Sequence, residues 1–394
     1  MTLKELTNAI SSSAAAFRCR TRLQPAGGVG DKVFPPTYSG ARYAKEERQI
    51  FDGRGENPQT KTCVVLDSVQ AQANRMEDAL QAALDSNKVK VPVLSVDFSG
   101  LGLLDEVRRV TSLEAPHRVA DAILRDSLYE GQPFRKSDLG KQLDAASLQN
   151  ATPLYQLCPT ALVLGIWDST GPKGGLGAKF QRALVSEIIG VNAQIGIKTS
   201  SRIDPLGMRA AAKVVKKDGT YELAATEKTP GAVSPSEVNH GNITPDITEG
   251  GATIDYAEQT IVLSLPALRR LRFPVNGKAT LERDNAARTV LVALALTAAA
   301  LAAESGFDLR SRCLLWPTGP LMWELLAVPG QTPEKYTLTS EVAISLLNDA
   351  VAAAEKEGLK WHSDPITLKP APNLVALLKR SQEISATAPE TGGN

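Results

Sequence analysis

The chain has 394 residues, with 44 Lys and Arg against 43 Asp and Glu, a formal net charge of +1, and 43% hydrophobic residues. That length and apolar content suit a globular chain with a substantial core and exclude an intrinsically disordered one. Cys19, Cys63, Cys158 and Cys313 lie far apart, with no Cys-x-x-Cys pair and no nearby histidine, which excludes a zinc ribbon and a disulfide framework and fits a reducing cytoplasm.

The N-terminal residues show no basic segment followed by an apolar one, so no secretory signal is expected. Residues 12–23 read as a first strand or helix. They lead into a glycine loop over 24–38 that carries Lys32, with Arg42, Arg48, Phe34, Tyr38 and Tyr43 nearby. This loop can be a phosphate contact beside a stacking platform, or a Pro/Gly turn whose aromatics enter the core. Residues 62–66 read as a buried strand, and Asp67-Ser68 as the cap of a helix over 69–84 with Met76, Leu80 and Leu84 as its apolar stripe. Gln70, Asn74 and Arg75 lie near the start of that helix, where they can reach a phosphodiester backbone or form an ordinary solvated face. Residues 91–98 are strand-like. A helix is expected to start within 113–124, with Pro116 in its first turn and His117 and Arg118 just inside. The three histidines, His117, His240 and His362, are far apart and have no partner placed by sequence, so no catalytic residue is expected among them.

The run Trp167-Asp-Ser-Thr-Gly-Pro-Lys-Gly-Gly-Leu-Gly-Ala-Lys-Phe-Gln-Arg182 concentrates glycines and cations. It follows an apolar run of strand length, 160–166. It feeds residues 178–189, whose Leu184, Val185, Ile188 and Ile189 recur at helical spacing, so strand, glycine loop and helix are expected in that order. Glycines let backbone N–H groups approach a phosphate, a helix N-terminus adds partial positive charge, and Lys173, Lys179 and Arg182 add whole charges. Two nucleotide motifs fail on spacing. Gly177 is followed by Ala178-Lys179-Phe180, not by Lys and then Ser or Thr, and Phe180 stands where a dinucleotide fingerprint needs its third glycine.

Residues 192–203 read as a strand ending in Thr199-Ser-Ser-Arg-Ile-Asp-Pro205, where Arg202 can contact phosphate or sugar. Between 163 and 217 nine cations face three acids, a net +6, and between 218 and 258 eight acids face Lys228 alone, a net −7. These segments can be solvated surfaces or mating surfaces between copies. Residues 217–251 read as an irregular insertion or extended hairpin, 260–265 as a strand, 285–303 as a long buried helix and 340–357 as an amphipathic helix. The apolar run 289–303 falls short of the roughly 20 residues of a membrane span. Residues 381–394 read as a disordered tail.

Several long motifs occur in a telling order: Leu23-Gln-Pro-Ala-Gly-Gly with Asp31-Lys-Val-Phe-Pro-Pro-Thr-Tyr38, Leu66-Asp-Ser-Val-Gln-Ala-Gln-Ala-Asn-Arg75, Ala115-Pro-His-Arg-Val-Ala-Asp-Ala-Ile-Leu-Arg-Asp126, the 167–189 run, and Thr199 to Pro205. Together they resemble the RAMP-superfamily backbone subunit of type I-G (formerly I-U) CRISPR Cascade complexes, over most of residues 15–210 and more loosely beyond. The resemblance implies an α+β fold, a modified RNA-recognition-motif (ferredoxin-like) palm in one domain over 1–380, with large insertions at about 90–150 and 205–255. It implies a cytoplasmic, non-enzymatic protein without cofactor or metal. Several copies would polymerise head-to-tail along CRISPR RNA with other Cascade subunits, meet target DNA through the guide, and touch no membrane. Carried over by position, Lys173, Gly174, Gly175, Lys179 and Arg182 would belong to the guide-holding loop, Gln70, Asn74 and Arg75 to the helix face, and Arg202 to a strand end, with Lys32 and Arg42 nearby. Asp31 is loop-borne, as is the cutting aspartate of related type III backbones, but type I backbones generally do not cut, and no nuclease activity is expected. Two other readings stand beside this one: an enzyme that binds a nucleotide or phosphorylated substrate through residues 171–179, and a structural oligomer joined through the +6 and −7 segments.

Overall fold

The computed structural model describes residues 1–51, 58–103, 108–168, 179–217, 220–362 and 365–387, and the fold is α+β. A short helix, α1 (Leu3–Ser11), precedes strand β1 (Ala16–Pro25). Along β1 the side chains of Phe17, Cys19, Thr21 and Leu23 are buried while Arg20 and Arg22 are exposed on the opposite side. That period of two marks a strand with one covered face. A hairpin of β2 (Lys45–Phe51) and β3 (Pro58–Asp67) follows. Ser68 then caps α2 (Val69–Asp85), its hydroxyl accepting from the Ala71 N–H at 3.2 Å. Ala73, Met76, Leu80 and Ala83 recur every three or four residues and form the buried stripe of α2.

Six further strands and two long helices follow, of which β5 and β6 pair with each other outside the main sheet. They are β4 (Leu184–Val191), the long arm of β5 (Gln194–Arg202) and β6 (Ile243–Thr253), β7 (Tyr256–Ser264), α3 (Leu281–Glu304), and β8 (Leu314–Pro317) with β9 (Met322–Leu326), before α4 (Ser340–Lys356). The antiparallel sheet has β1 at its centre. β8 and β9 pair with one edge of β1, and β7, β4, β3 and β2 follow in that order on the other. Helix α3 packs against α1, α2 and α4, and every residue from Val290 to Ala300 is buried. It is apolar on all sides because it has neighbours on all sides. Thr297, fully buried, donates to the Ala293 and Ala343 carbonyls at 2.8 and 3.0 Å. At 24 residues α3 is long and apolar enough to cross a membrane, longer than the apolar run alone suggested, and 83% of its most apolar window is buried inside the fold.

The described residues between 86 and 168, together with Ile366–Pro370, build a second layer. Its five-stranded sheet runs Arg109–Thr111, Leu94–Asp97, Ile366–Pro370, Ser127–Tyr129, Gln132–Pro133, with Ile366–Pro370 parallel to Leu94–Asp97. A contiguous core joins both layers, from Phe17 and Leu80 to Leu94, Tyr155 and Leu368.

Several local expectations are corrected. Residues 160–166 form a helix, Thr160–Leu164, followed by the two-residue strand Ile166–Trp167. The described residues of the run 178–189 contain no helix. Lys179–Phe180 pairs with Ile166–Trp167, and β4 lies between β7 and β3. Leu184, Ser186 and Ile188 are buried while Val185 is exposed, so the period is two. Val185, Ile188, Ile189 and Val191 are β-branched and suit that surface. The described residues on either side of the glycine run are therefore strands, and the expected helix does not begin at Lys179. Residues 113–124 are broken at Arg118, whose φ is +52°, into a 3₁₀ turn and a four-residue helix capped by Asp121. Of the expected disordered tail, residues 381–387 belong to the helix Pro372–Thr387, and 388–394 lie outside the described residues.

The end of the 217–251 run is β6, which pairs with β5 from outside that range, and between the arm's strands lies a small sheet of Val214–Lys217, Thr220–Leu223 and Ala232–Val233. Because β5 pairs with β6, the +6 and −7 segments share one arm. Lys198 stands opposite Thr248, Ser200 opposite Asp246, and Lys217 bonds Glu222 at 2.8 Å.

Candidate nucleic-acid interface

The start of α2, residues 116–125, the helix Thr160–Leu164 with the strand after it, the strand Lys179–Phe180 and the segment 267–271 surround a cleft of about 1000 Å³. Its lining brings together four of the residues singled out from sequence: Gln70, Asn74, Lys179 and Arg182. Gln70 and Asn74 are exposed on one face of α2, four residues apart and so one turn apart. Lys179 stands opposite Trp167 in the short ladder, its ammonium 5.4 Å from the indole centroid. The same alternation turns Ile166 and Phe180 inward, where both are buried. The described wall ends at Asp168 and resumes at Lys179. Lys173, Gly174 and Gly175 lie outside the described residues.

Sequence reasoning did not identify what holds this wall. Arg118, 6% exposed, makes a two-pronged ion pair with Glu77, 2% exposed, at 2.7 and 2.8 Å, and donates to the Gly165 carbonyl at 3.0 Å. Arg182 donates to the neighbouring Leu164 carbonyl at 3.1 Å. Gly165 has φ +84°, and a Cβ there would sit 2.8 Å from Arg182 Cγ and 3.0 Å from its backbone nitrogen. Glycine is thus needed both for its backbone conformation and for the close approach of the returning strand. Burial pushes the Glu77 carboxyl up to about 7, against the opposing pull of Arg118. Burial, helped by the Arg118 charge, lowers Arg182 from its ordinary value. The fold alone brings Glu77 to Arg118, 41 positions away, and no spacing in the sequence signals it.

The cleft also takes cations from elsewhere. Arg125 pairs with its neighbour Asp126 through two bonds of 2.8 Å. Arg270 is exposed, with a long 3.4 Å bond to the Pro266 carbonyl. Asp168 is the one carboxylate in the described lining, and Arg135 lies 2.6 Å from it. His117 is exposed at the rim, its backbone N–H bonded to Asp121 at 3.1 Å. The result is a partly apolar hollow bordered by guanidinium, ammonium and amide groups, suited to an anion attached to a flat, weakly polar body.

The other residues read from sequence lie apart from it. Arg75 faces the opposite way on α2, bonded to Asp67 at 2.9 Å and to the Asp308 and Leu309 carbonyls at 3.4 and 2.5 Å. Lys32 donates to the Ile197 carbonyl at 2.8 Å and packs over Gly196 and Gly251 at the root of the β5–β6 arm. Arg202 holds the Gly241 carbonyl at 3.1 and 2.9 Å within that arm. Arg42 is exposed on a two-residue strand paired with Thr37–Tyr38. Of the aromatics beside the second glycine loop, Phe34 lies under Arg312 at 4.1 Å and Tyr43 accepts from the Gly251 N–H at 2.7 Å. That loop borders the arm, not the cleft. Among the described residues no three His, Cys, Asp or Glu side chains converge as a metal site, and all four cysteines are buried and unbridged.

Residues 17–195 match the family model described as CRISPR-associated protein GSU0053. Over that stretch the chain is similar to a CRISPR-associated family. The match begins in β1, ends in β5, and takes in the whole cleft wall except the segment 267–271. A search of curated proteins found no match.

Proposed function

We propose that this chain is a CRISPR RNA-binding backbone subunit of a Cascade complex, polymerising head-to-tail along the guide and presenting it to target DNA. The observation that carries the reading is the cleft, whose lining brings Gln70 and Asn74 of α2 together with Lys179 and Arg182, which follow the glycine run in sequence, inside the stretch similar to a CRISPR-associated family. The strand order supports the palm. Taken as β1, α2, β4, β7, α3 and β8 with β9, the chain runs βαββαβ, and its sheet order of fourth, first, third and second strand is that of a ferredoxin-like or RNA-recognition-motif layer. The hairpin β2–β3 is then an addition at the edge beside β4, and the β5–β6 arm an insertion between the second and third strands.

A guide must leave its bases free for pairing, so protein contacts belong mainly on phosphate and sugar. Amide and cationic side chains around a glycine loop, including Lys173, Gly174 and Gly175, suit that task. A head-to-tail contact that does not close gives an open helix, in which each copy adds a few phosphate contacts. No enzymatic step is needed for this role in the cytoplasm.

The test is to purify the protein from cells that carry its repeat array and measure the 260 to 280 nm absorbance ratio, then titrate the RNA-free protein with guide-length RNA and with mononucleotides. Co-purifying RNA is expected, with log K falling with log salt at a slope of roughly −2 to −3 per copy for 3–4 phosphates on a single strand. Particles free of RNA, or tight mononucleotide binding without RNA binding, would overturn the proposal.

A further inference from the structure

Trp167 has no role in holding a phosphate, yet it is 61% exposed at the lip of the cleft. A large aromatic left in water at that position invites a ligand. Its strand has only two residues, and the ladder fixes its direction. Ile166 and Phe180 fill the core, so Trp167 and Lys179 must project together on the outer side. The ammonium of Lys179, 5.4 Å from the ring centroid, occupies a cation–π position. That contact steadies the indole, and more than half of the side-chain surface remains open.

The hollow beside the indole is larger and more apolar than a phosphate requires. Leu162, Leu164, Ala183 and Leu271 contribute to its lining, while the amides of Gln70 and Gln181, both exposed, stand at its border. Amide groups offer a donor and an acceptor together, the pairing that a base edge presents. Lys179 and Arg270 supply positive charge at the same mouth.

We infer that Trp167 is a stacking platform for one unpaired nucleobase of the bound RNA per subunit, with the attached phosphate on Lys179. This rests on the RNA-binding reading above and adds to it a base-dependent contact, which a purely backbone-holding cleft would not have. Stacking tolerates any base, because every base has a π-face, so the contact fits a guide of arbitrary sequence.

The experiment is fluorescence anisotropy with a labelled hexa-adenylate and a labelled abasic ribose-phosphate hexamer, on wild type, Trp167→Ala, Trp167→Phe and the control Trp316→Phe. Circular dichroism checks that each variant is folded. Wild type should bind hexa-adenylate better than the abasic strand. Trp167→Ala should weaken hexa-adenylate binding roughly 5- to 100-fold, the range measured for loss of one aromatic stack, while leaving the abasic affinity unchanged. Trp167→Phe should recover most of the loss, and Trp316→Phe should show none. If folded Trp167→Ala binds both strands as wild type does, the stacking inference falls and the RNA-binding reading stands. If wild type binds neither strand, both fall.

Discussion

The buried ion pair behind the cleft makes a sharp prediction about stability. Glu77 and Arg118 are 2% and 6% exposed and share two bonds of 2.7 and 2.8 Å. Removing one partner leaves the other charge stranded in the core, which costs about 3–5 kcal/mol. At roughly 2 °C per kcal/mol for a large domain, Arg118→Met should lower the melting temperature by about 6–10 °C. Glu77→Leu combined with Arg118→Met strands no charge. It gives up only the Arg118 bond to the Gly165 carbonyl, 3.0 Å long, and should lie about 1–2 kcal/mol below wild type. The assay is a double-mutant cycle by thermal and urea unfolding at pH 8, where the Glu77 carboxyl, raised to about 7, is ionised. Single-mutant losses that simply add in the double mutant would refute the view that the two groups act as one buried unit.

Three more outcomes are expected. With its folded value raised from 4.5 to about 7, Glu77 favours the folded state fully below pH 4.5, and that contribution is lost as pH rises through 7; melting curves at pH 5 and 7.5 should therefore show a decline in wild type that Glu77→Gln lacks, and equal pH slopes would count against it. Lys173→Ala with Lys179→Ala should weaken RNA retention without unfolding the subunit and make the salt slope shallower by roughly 1.4, about 0.7 per lost phosphate contact on a single strand; an unchanged gel shift would remove both lysines from the interface. Arg75→Ala should destabilise the fold by about 1–3 kcal/mol because it leaves buried Asp67 short of a donor, whereas Asn74→Ala, exposed in the cleft, should change stability by no more than about 0.5 kcal/mol and lower RNA affinity; urea titration beside a binding titration separates the two.

The elements that could be read from sequence were those whose local signal and tertiary setting agree. Ser68 before an apolar stripe marked α2 because a cap and a 3.6 period both act within one helix. The uncharged apolar run marked α3, and no other run of the described residues buries so many consecutive positions. The run 178–189 failed because its apolar residues at i, i+1, i+4 and i+5 satisfy a helix and a fully buried strand equally. Only the neighbours β3 and β7 decide between them. The same held for the cleft. Gln70, Asn74, Lys179 and Arg182 came from two motifs and met in space, but Arg270 arrives from the far side of β7, beyond any local pattern. Arg75, one position from Asn74, points 100° further around the helix and meets Asp67 and Arg310's loop instead.

Net charge was the least informative number, and the fold explains why. Several acids near the sheet are consumed by basic partners: Glu258 by Arg20 on the adjacent strand at 2.9 Å, Glu187 by Arg48 two strands away at 2.9 Å, and Asp255, in the turn before β7, by Lys61 at 3.0 Å. These cancel in the total and contribute little to the field at the cleft, since close opposite charges leave only a short-range dipole. In the described lining, by contrast, Lys179, Arg182 and Arg270 have no carboxylate bonded to them, and the single lining acid, Asp168, has Arg135 at 2.6 Å. A chain of net charge +1 can therefore present a locally cationic hollow. A modest local charge also suits an assembly of many copies. If each subunit bound its share of the guide strongly alone, copies would lodge at random spacings, whereas a few weak contacts per copy make correct stacking on a neighbour the step that secures the next subunit.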